Sequence, residues 1–595
     1  MKKQRQKINI MPFIVAVVFI IIILAICVVT REIEKRTPSE TKADIQGYFG
    51  FETGSDSGIL GMNKSDEMAV IVDSELLDTK GVQIDGQIYV PIDIIDKYLN
   101  ERFYWDSNEN VLIFTTPTDI IRAEVGSSEY SVGKNKQGTA YQIVKTEGSD
   151  NCYVALDFVA MYSGMQYNIY TEPNRVHIYT KSIEDKAITA KKKSADIRVS
   201  ANIKSEILKT IDEKTPAYIL EEGENWYKVY TDDGFTGYVR KKDCTNGTAK
   251  EVAIAFEEPV YTNITKDYTI NMVWHQVTSA SANNKLSSNI ENMKGVNTIC
   301  PTWFSLSDNE GNISSIASDS YVNLAHRCGM EVWGLVDNFK SEVSTSEVLS
   351  YTSRRERLIN QLISAAVEHN LDGLNIDFES VAPESGEDFI QFIRELSTKC
   401  RANGIVLSID NYVPGYTDYY DRKEQGTVAD YVIIMGYDEH NASSTESGSV
   451  ASLPFVKEGI EATLAEVPAE KVINAIPFYT RLWKETPKTA EEIAAEDATS
   501  AEYVPYHLSS EAVGMSRMEE IVAQSGAQTQ WDDTLKQNYL QYDADGSTYK
   551  MWLEDSASME EKLKLMKEYK LAGVAAWKLG LEKSDVWDLI VKYTN

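Results

Sequence analysis

Histidine and cysteine are scarce in this chain, with six of each in 595 residues. The cysteines (Cys27, Cys152, Cys244, Cys300, Cys328 and Cys400) are scattered and show no C-x-x-C spacing, so neither a zinc site nor a disulfide framework is expected. An H-x-x-x-H pair and a glycine-rich phosphate loop are both missing. No metal and no cofactor is therefore expected. Positive charge is also short: 59 Lys and Arg stand against 90 Asp and Glu, a net charge of −31. That balance argues against a nucleic-acid partner, because nucleic-acid binders carry basic patches. Hydrophobic residues at 43% and aromatics at 10% supply ample material for packed cores, which excludes a disordered chain. The length suggests several domains.

A single unbroken apolar run, Met11 to Val29, follows Lys2, Lys3, Arg5 and Lys7. It is long enough to cross a bilayer, and Ile26-Cys27-Val28-Val29 offers no small-residue cleavage site. Leu24-Ala25-Ile26-Cys27 has the outline of a lipoprotein box, but Ile26 is bulky where a small residue is wanted. The expectation is an uncleaved single-pass anchor over 11–29, with a cytoplasmic tail over 1–10 and everything beyond it outside the cell membrane. Residues 30–65 mix charge with Gly, Ser, Thr and Pro38 and read as a linker.

Two modules follow. Tyr89-Val90-Pro91-Ile92-Asp93-Ile94-Ile95 is echoed by Tyr153-Val154-Ala155-Leu156-Asp157-Phe158-Val159, and Val111-x-Ile113-x-Thr115 by Val176-x-Ile178-x-Thr180. Each copy suggests a hairpin, a short helix and a hairpin. This α+β repeat, 66–182, resembles the domain named after the N-terminal region of copper amine oxidases; with His177 as its lone histidine, no copper site is expected. Over 190–247, short strands at Ile197–Ser200, Ala217–Leu220, Trp226–Val229 and Gly237–Val239 resemble a bacterial Src-homology-3-type barrel. That resemblance implies a cell-wall peptide as partner, with Trp226 and Tyr238 read as barrel core.

The remainder, 250–595, is organised around Leu371-Asp372-Gly373-Leu374-Asn375-Ile376-Asp377-Phe378-Glu379-Ser380. Strand periodicity puts Leu374, Ile376 and Phe378 on one face and Asn375, Asp377 and Glu379 on the other, with successive polar residues about 6–7 Å apart. Before it, Ser353-x-x-Glu356 reads as a capping box opening a helix through Leu358, Ile359, Leu362, Ile363, Ala366 and Val367. After it, Phe389, Ile393, Leu396 and Cys400 mark a second helix, closed by Asn403-Gly404. Eight candidate strands begin near Ile270, Thr298, Val332, Gly373, Ile405, Tyr431, Val472 and Gly573. Strands alternating with helices predict a (β/α)8 TIM barrel, and carboxylates at the end of one of its strands point to catalysis. A hairpin around Asp545-Gly546 suggests a small α+β insertion over about 484–556. The fold class is thus multidomain.

Asp372-x-x-Asn375-x-Asp377-x-Glu379 resembles the D-x-x-D-x-D-x-E signature of glycoside hydrolase family 18, the chitinase-like enzymes, with Asn375 where many members carry Asp. Asn here is similar to the spore-cortex, peptidoglycan-lytic N-acetylglucosaminidase branch, and it puts in doubt any proton sharing that a third carboxylate would support. Met435-Gly436-Tyr437-Asp438, Tyr479-Thr480-Arg481 and Trp577 match further strand ends of that family. The resemblance implies substrate-assisted hydrolysis of an N-acetylated glycan polymer, peptidoglycan or chitin-like. In that scheme Glu379 is the acid, Asp377 holds the substrate acetamide and Tyr437 hydrogen-bonds its carbonyl. Asn375, Met435, Asp438, Tyr479, Arg481 and Trp577 shape the subsite. Two alternatives are a non-catalytic, lectin-like glycan binder and a purely structural wall tether.

Overall fold

The computed structural model describes residues 11–51, 58–148, 151–415, 417–495 and 504–595. The expected tail 1–10 lies outside the described residues, as do parts of the expected linker and insertion. The chain forms two compact units. One runs up to Phe103 and includes Val125–Ser128 and Thr139–Glu258; the other joins Tyr104–Glu124 and Glu129–Gly138 to Pro259–Asn595.

In the first unit the apolar run forms one helix, Met11–Arg36, with nothing packed on its apolar span Phe13–Arg36. At about 1.5 Å per residue this helix has the length to cross a bilayer. The stretch expected as a linker is in part a packed element. Phe49 is wholly buried with Ile71, Leu208 and Phe235, flanked by Ala43, Ile45, Tyr48 and Phe51. Its ring meets Phe235 edge-on at 5.0 Å and takes the Arg175 guanidinium on its face. Four closely spaced large apolar side chains cannot remain solvated at low cost, so this stretch packs where a linker was expected.

The repeat forms hairpins and short helices as its echoes predict, and its two copies pair with each other: Tyr153, Val154 and Ala155 lie antiparallel to Pro91, Val90 and Tyr89. Their second hairpins part company. Gln166–Tyr170 and Arg175–Tyr179 stay in the seven-stranded sheet, where the latter pairs in parallel with Glu67–Val72. Phe103–Asp106 and Val111–Thr115 instead open a five-stranded antiparallel meander running to Gly138, most of which belongs to the second unit. The stretch 66–182 is therefore not one compact body.

A further seven-stranded sheet spans Ala187–Asn246 around Ile188, Ile197, Ile211, Val229 and Val239. Trp226 and Tyr238 are only half-buried and lie outside this core, because strand alternation turns Tyr227 and Val239 inward in their place.

The second unit is built on a closed barrel. Its parallel strands are β1 (Ile270–His275), β2 (Thr298–Leu306), β3 (Glu331–Asp337), β4 (Gly373–Asp377), β5 (Val406–Tyr412), β6 (Tyr431–Met435), β7 (Val472–Pro477) and β8 (Gly573–Trp577). Each pairs with the next, and β8 pairs with β1. Met272, Trp274, Trp333, Leu335, Val406, Ile433 and Ala575 fill the interior, while the alternate residues pack outward on helices, as a sheet covered on both faces requires.

Helix α1 (Thr352–Glu368) buries Leu358, Ile359, Leu362 and Ala366, and α2 (Gly386–Asn403) ends on Gly404 at φ 68°, a left-handed position suited to glycine. The capping box expected at Ser353 and Glu356 does not form. The meander supplies the cap instead: Asp106 accepts from the Thr352 N–H at 2.6 Å, and Glu109 from the Ser353 N–H at 2.7 Å. Between β7 and β8 lies a five-stranded antiparallel sheet with the helix Met515–Ser525. It begins at Tyr479, paired with Gly514, earlier than the expected residue 484, because β7 stops at Pro477.

Candidate active site

The barrel register creates the site. Asp337 on β3 lies directly beside Asp377 on β4. Ile376 lies beside Ile409, which carries Asp377 next to Asp410 on β5. Three aspartates thus form a lateral row across adjacent strands at their C-terminal ends, with neighbouring strands about 4.8 Å apart. β4 ends at Asp377, two residues short of the end expected for it at Glu379, so Glu379 stands where the chain leaves the barrel.

Asparagine 375 sits one layer below, fully buried. The Trp274 indole N–H, a donor only, reaches Asn375 Oδ1 at 3.0 Å, so the amide nitrogen must face the other way. There Nδ2 donates to Ser408 Oγ at 3.0 Å and to Asp410 Oδ1 at 2.8 Å.

Asp377 is 5% exposed, and its Oδ1 is buried without a hydrogen-bond partner. Burial, then the like charges of Asp410, Glu379 and Asp337, pushes its carboxyl well above the ordinary range. Burial does the same to Asp410, opposed by the Asn375 hydrogen bond and reinforced by Glu379. Asp337 is raised mainly by burial, against hydrogen bonds from the Phe339 N–H and Ser305 Oγ.

Glu379 is held from three sides. Its backbone N–H donates to Asn338 Oδ1 at 3.0 Å, and its carbonyl accepts from Asn338 Nδ2 at 2.9 Å. Tyr412, at the end of β5, donates its hydroxyl to Glu379 Oε2. Burial raises the Glu379 carboxyl; the Tyr412 hydrogen bond opposes this, and Asp438 and Asp337 add to it. The carboxyl is thus biased toward keeping a proton, the state a general acid needs.

Each member of the pair lines its own cavity. One, about 300 Å³, is lined by Asp377, Asp337, Trp303, Phe339 and Trp577. The other, about 730 Å³, is lined by Glu379, Tyr412, Tyr437, Asp438 and Arg481. Trp577 is half-buried, its ring centre 6.0 Å from that of Trp274, and it walls the smaller cavity. Tyr437 lies edge-on to Tyr479 at 6.3 Å, and burial pushes its hydroxyl far up. The Tyr479 hydroxyl donates to Asp438, which is at φ 60° just past β6. Arg481 donates to Ser510 Oγ at 2.9 Å and keeps a buried, unsatisfied Nε.

All the residues expected at the site are therefore in or beside these cavities, with two qualifications. Tyr479 and Arg481 belong to the first strand of the inserted sheet rather than to a barrel strand. Asn375 lies one layer below Asp377, and Met435 pairs across from Tyr412, which lines the larger cavity. Asp337, Asn338, Asp410 and Tyr412 were not expected. The signal for them was the alternation on β3 and β5, where Leu335-x-Asp337 and Ser408-x-Asp410-x-Tyr412 point inward.

An acid pair where β4 leaves the C-terminal mouth of a parallel barrel is an arrangement suited to glycoside hydrolysis. Residues 311–582 match the model for Glycosyl hydrolases family 18. Residues 71–178 match the Copper amine oxidase N-terminal domain, and 193–244 the Bacterial SH3 domain. A glycosylase of Bacillus subtilis (strain 168) whose name ties it to sporulation is 30% identical over 253 residues, 41% of this chain and 55% of that protein. A cortical fragment-lytic enzyme of Bacillus anthracis is 27% identical over 263 residues, 43% of this chain and 57% of that protein. The chain thus spans little more than half the length of these two relatives. The crystal structure of a chitinase from Chromobacterium violaceum is 21% identical, with 55% of this chain and 98% of that one covered and a TM-score of 0.47.

Proposed function

We propose that the protein hydrolyses β-1,4 bonds next to N-acetylglucosamine in peptidoglycan, or in a chitin-type glycan, with the substrate's own acetamido group as nucleophile. The observation that carries this reading is the Asp377–Glu379 pair. One carboxyl is buried and unsatisfied, and the other lines the larger cavity, held by Tyr412 and Asn338. Glu379 gives its proton to the glycosidic oxygen as the bond to the anomeric carbon breaks. The acetamido oxygen bonds to that carbon, and Asp377 accepts the acetamide N–H and stabilises the positive charge that develops. Water, deprotonated by Glu379, then opens the ring and restores the acid. In this reading Tyr437 hydrogen-bonds the acetamide carbonyl, and Trp577 offers an aromatic face to the sugar. Met435, Asp438, Tyr479 and Arg481 shape the same subsite from around it.

Peptidoglycan is favoured over chitin by the Bacterial SH3 match, by the cortical fragment-lytic relative and by Asn375. The helix Met11–Arg36 serves in this reading as a membrane anchor with its basic end inside, holding the modules near 66–182, 190–247 and 250–595 on the wall side. The 190–247 module contacts wall peptide.

Purified peptidoglycan incubated with the protein should release reducing ends, and N-acetylglucosamine should be found at them by mass spectrometry. N-acetylmuramic acid at the new ends, or activity on chitin oligomers alone, overturns the substrate reading. Binding without any release would favour the lectin-like alternative. Protease added to wall-stripped cells should remove the barrel; a protected barrel would contradict the topology.

A further inference from the structure

We propose that Asp410 is a positioning residue that shares a single proton with Asp377, and that Asn375 fixes Asp410 in that role. The inference deepens the catalytic reading above and rests on it for its functional half.

The geometry leaves little alternative. Asp410 and Asp377 are lateral neighbours on β5 and β4, 3% and 5% exposed. The charges that act most strongly on either are carboxylates, with Asp337 on the far side of Asp377 and Glu379 above. Ionising the whole row in a closed barrel is costly, because like charges at this spacing cannot all be maintained away from water. Asp377 Oδ1 lacks a donor, and a donor is what a protonated neighbour provides. Asp410 Oδ1 is already occupied as acceptor from Asn375 Nδ2, which leaves Oδ2 to carry the proton toward Asp377. The other titratable groups facing the pair are the Cys300 thiol from β2 and the hydroxyls of Tyr437 and Tyr420. Burial holds all three protonated, so none supplies a compensating charge.

The arrangement has a use. As Glu379 protonates the leaving oxygen and positive charge builds beside Asp377, the shared proton passes wholly to Asp410 Oδ2. Asp377 becomes the full anion, with no proton gained or lost by the protein. The third carboxylate that Asn375 replaces is supplied from the adjacent strand.

Two measurements separate this inference from the function it rests on. The first is infrared spectroscopy at neutral pH, read as wild type minus Asp410→Asn. The difference should show one protonated buried carboxyl in the wild type that is missing from the nearly isosteric variant. Asn375→Asp, which adds an acid to the row, should show one more than the wild type. This readout needs no turnover. The second is the pH profile of kcat/KM on peptidoglycan. In Asp410→Asn the acid limb, where Asp377 protonates, should move up by about one pH unit, because the shared proton that stabilised the Asp377 anion is gone. The alkaline limb, set by Glu379, should stay, because the site keeps one negative charge in both proteins. In Asn375→Asp the acid limb should move up. Identical infrared carboxyl bands in wild type and Asp410→Asn would overturn the proposal, as would lowered kcat with both limbs unmoved. An infrared difference with no hydrolysis of any N-acetylated glycan would overturn the function and leave the proton sharing standing.

Discussion

Buried carboxylates occur in two settings in the second unit. On the outer layer they come with cations. Glu395 and Arg355, both wholly buried, lie 3.0 Å apart; Glu424 meets Arg394 at 2.9 Å, and Glu554 meets Lys562 at 2.9 Å. At the barrel mouth Asp337, Asp377, Asp410 and Glu379 face one another, and Asp377 keeps an orphan oxygen. A paired buried charge holds elements together, and Arg355 illustrates this by also donating to Tyr104 of the meander at 3.1 Å and to the Leu349 carbonyl. A set of unpaired carboxylates costs stability and is retained for chemistry. The same residue types therefore predict opposite responses to substitution.

The largest response should come from Glu379→Gln. Removing the transferable proton should lower turnover by about 10²–10⁴-fold while the melting temperature holds, read by reducing-end release and thermal unfolding. A loss under about tenfold would remove Glu379 from the role of acid. Arg355→Met should invert that result. It leaves Glu395 buried, with Arg122 3.5 Å away as the remaining cation, and should destabilise the unit by about 3 kcal/mol with turnover per folded molecule unchanged.

Asp377→Asn should sharpen the contrast through pH. Burial and like charge raise the Asp377 carboxyl, so the folded protein keeps a proton that the unfolded chain has lost. Stability therefore falls as pH rises from the ordinary carboxylate range toward the raised one. The amide removes the Asp377 share of that fall, so the variant should melt above the wild type at neutral pH, with the advantage vanishing in acid. A variant less stable at neutral pH would show that a cation offsets the Asp377 charge. Asp106→Ala should give the smallest effect, about 1 kcal/mol from loss of the α1 cap, with no change in turnover.

Much of the barrel was legible in the sequence because its signals are local. Strand starts at Ile270, Thr298, Gly373, Tyr431, Val472 and Gly573 followed from apolar runs, and Gly404 closes α2 as its position predicts. The missed site residues were missed for lack of register. Nothing local says that Asp410 lies beside Asp377, because that neighbour relation comes from pairing strands more than thirty residues apart. The same reason accounts for the α1 cap. Ser353 and Glu356 satisfy the local pattern, yet Asp106 and Glu109 arrive from a hairpin far upstream. Likewise the echoed hairpins at Val111 and Val176 share a pattern but join different sheets, since periodicity specifies a strand and not its partner.

The central claim is that the unpaired carboxylates work as an acid and an acetamide support, and it is tested most directly by matched substrates in mass spectrometry. Wild-type protein is offered a glycan bearing 2-acetamido groups and its 2-hydroxy analogue, and the intact protein is weighed during turnover. The account predicts hydrolysis of the acetamido substrate alone, inhibition by a thiazoline mimic of the cyclic intermediate, and no mass added to the protein. Hydrolysis of the 2-hydroxy analogue with a glycosyl ester on Asp377 would contradict it.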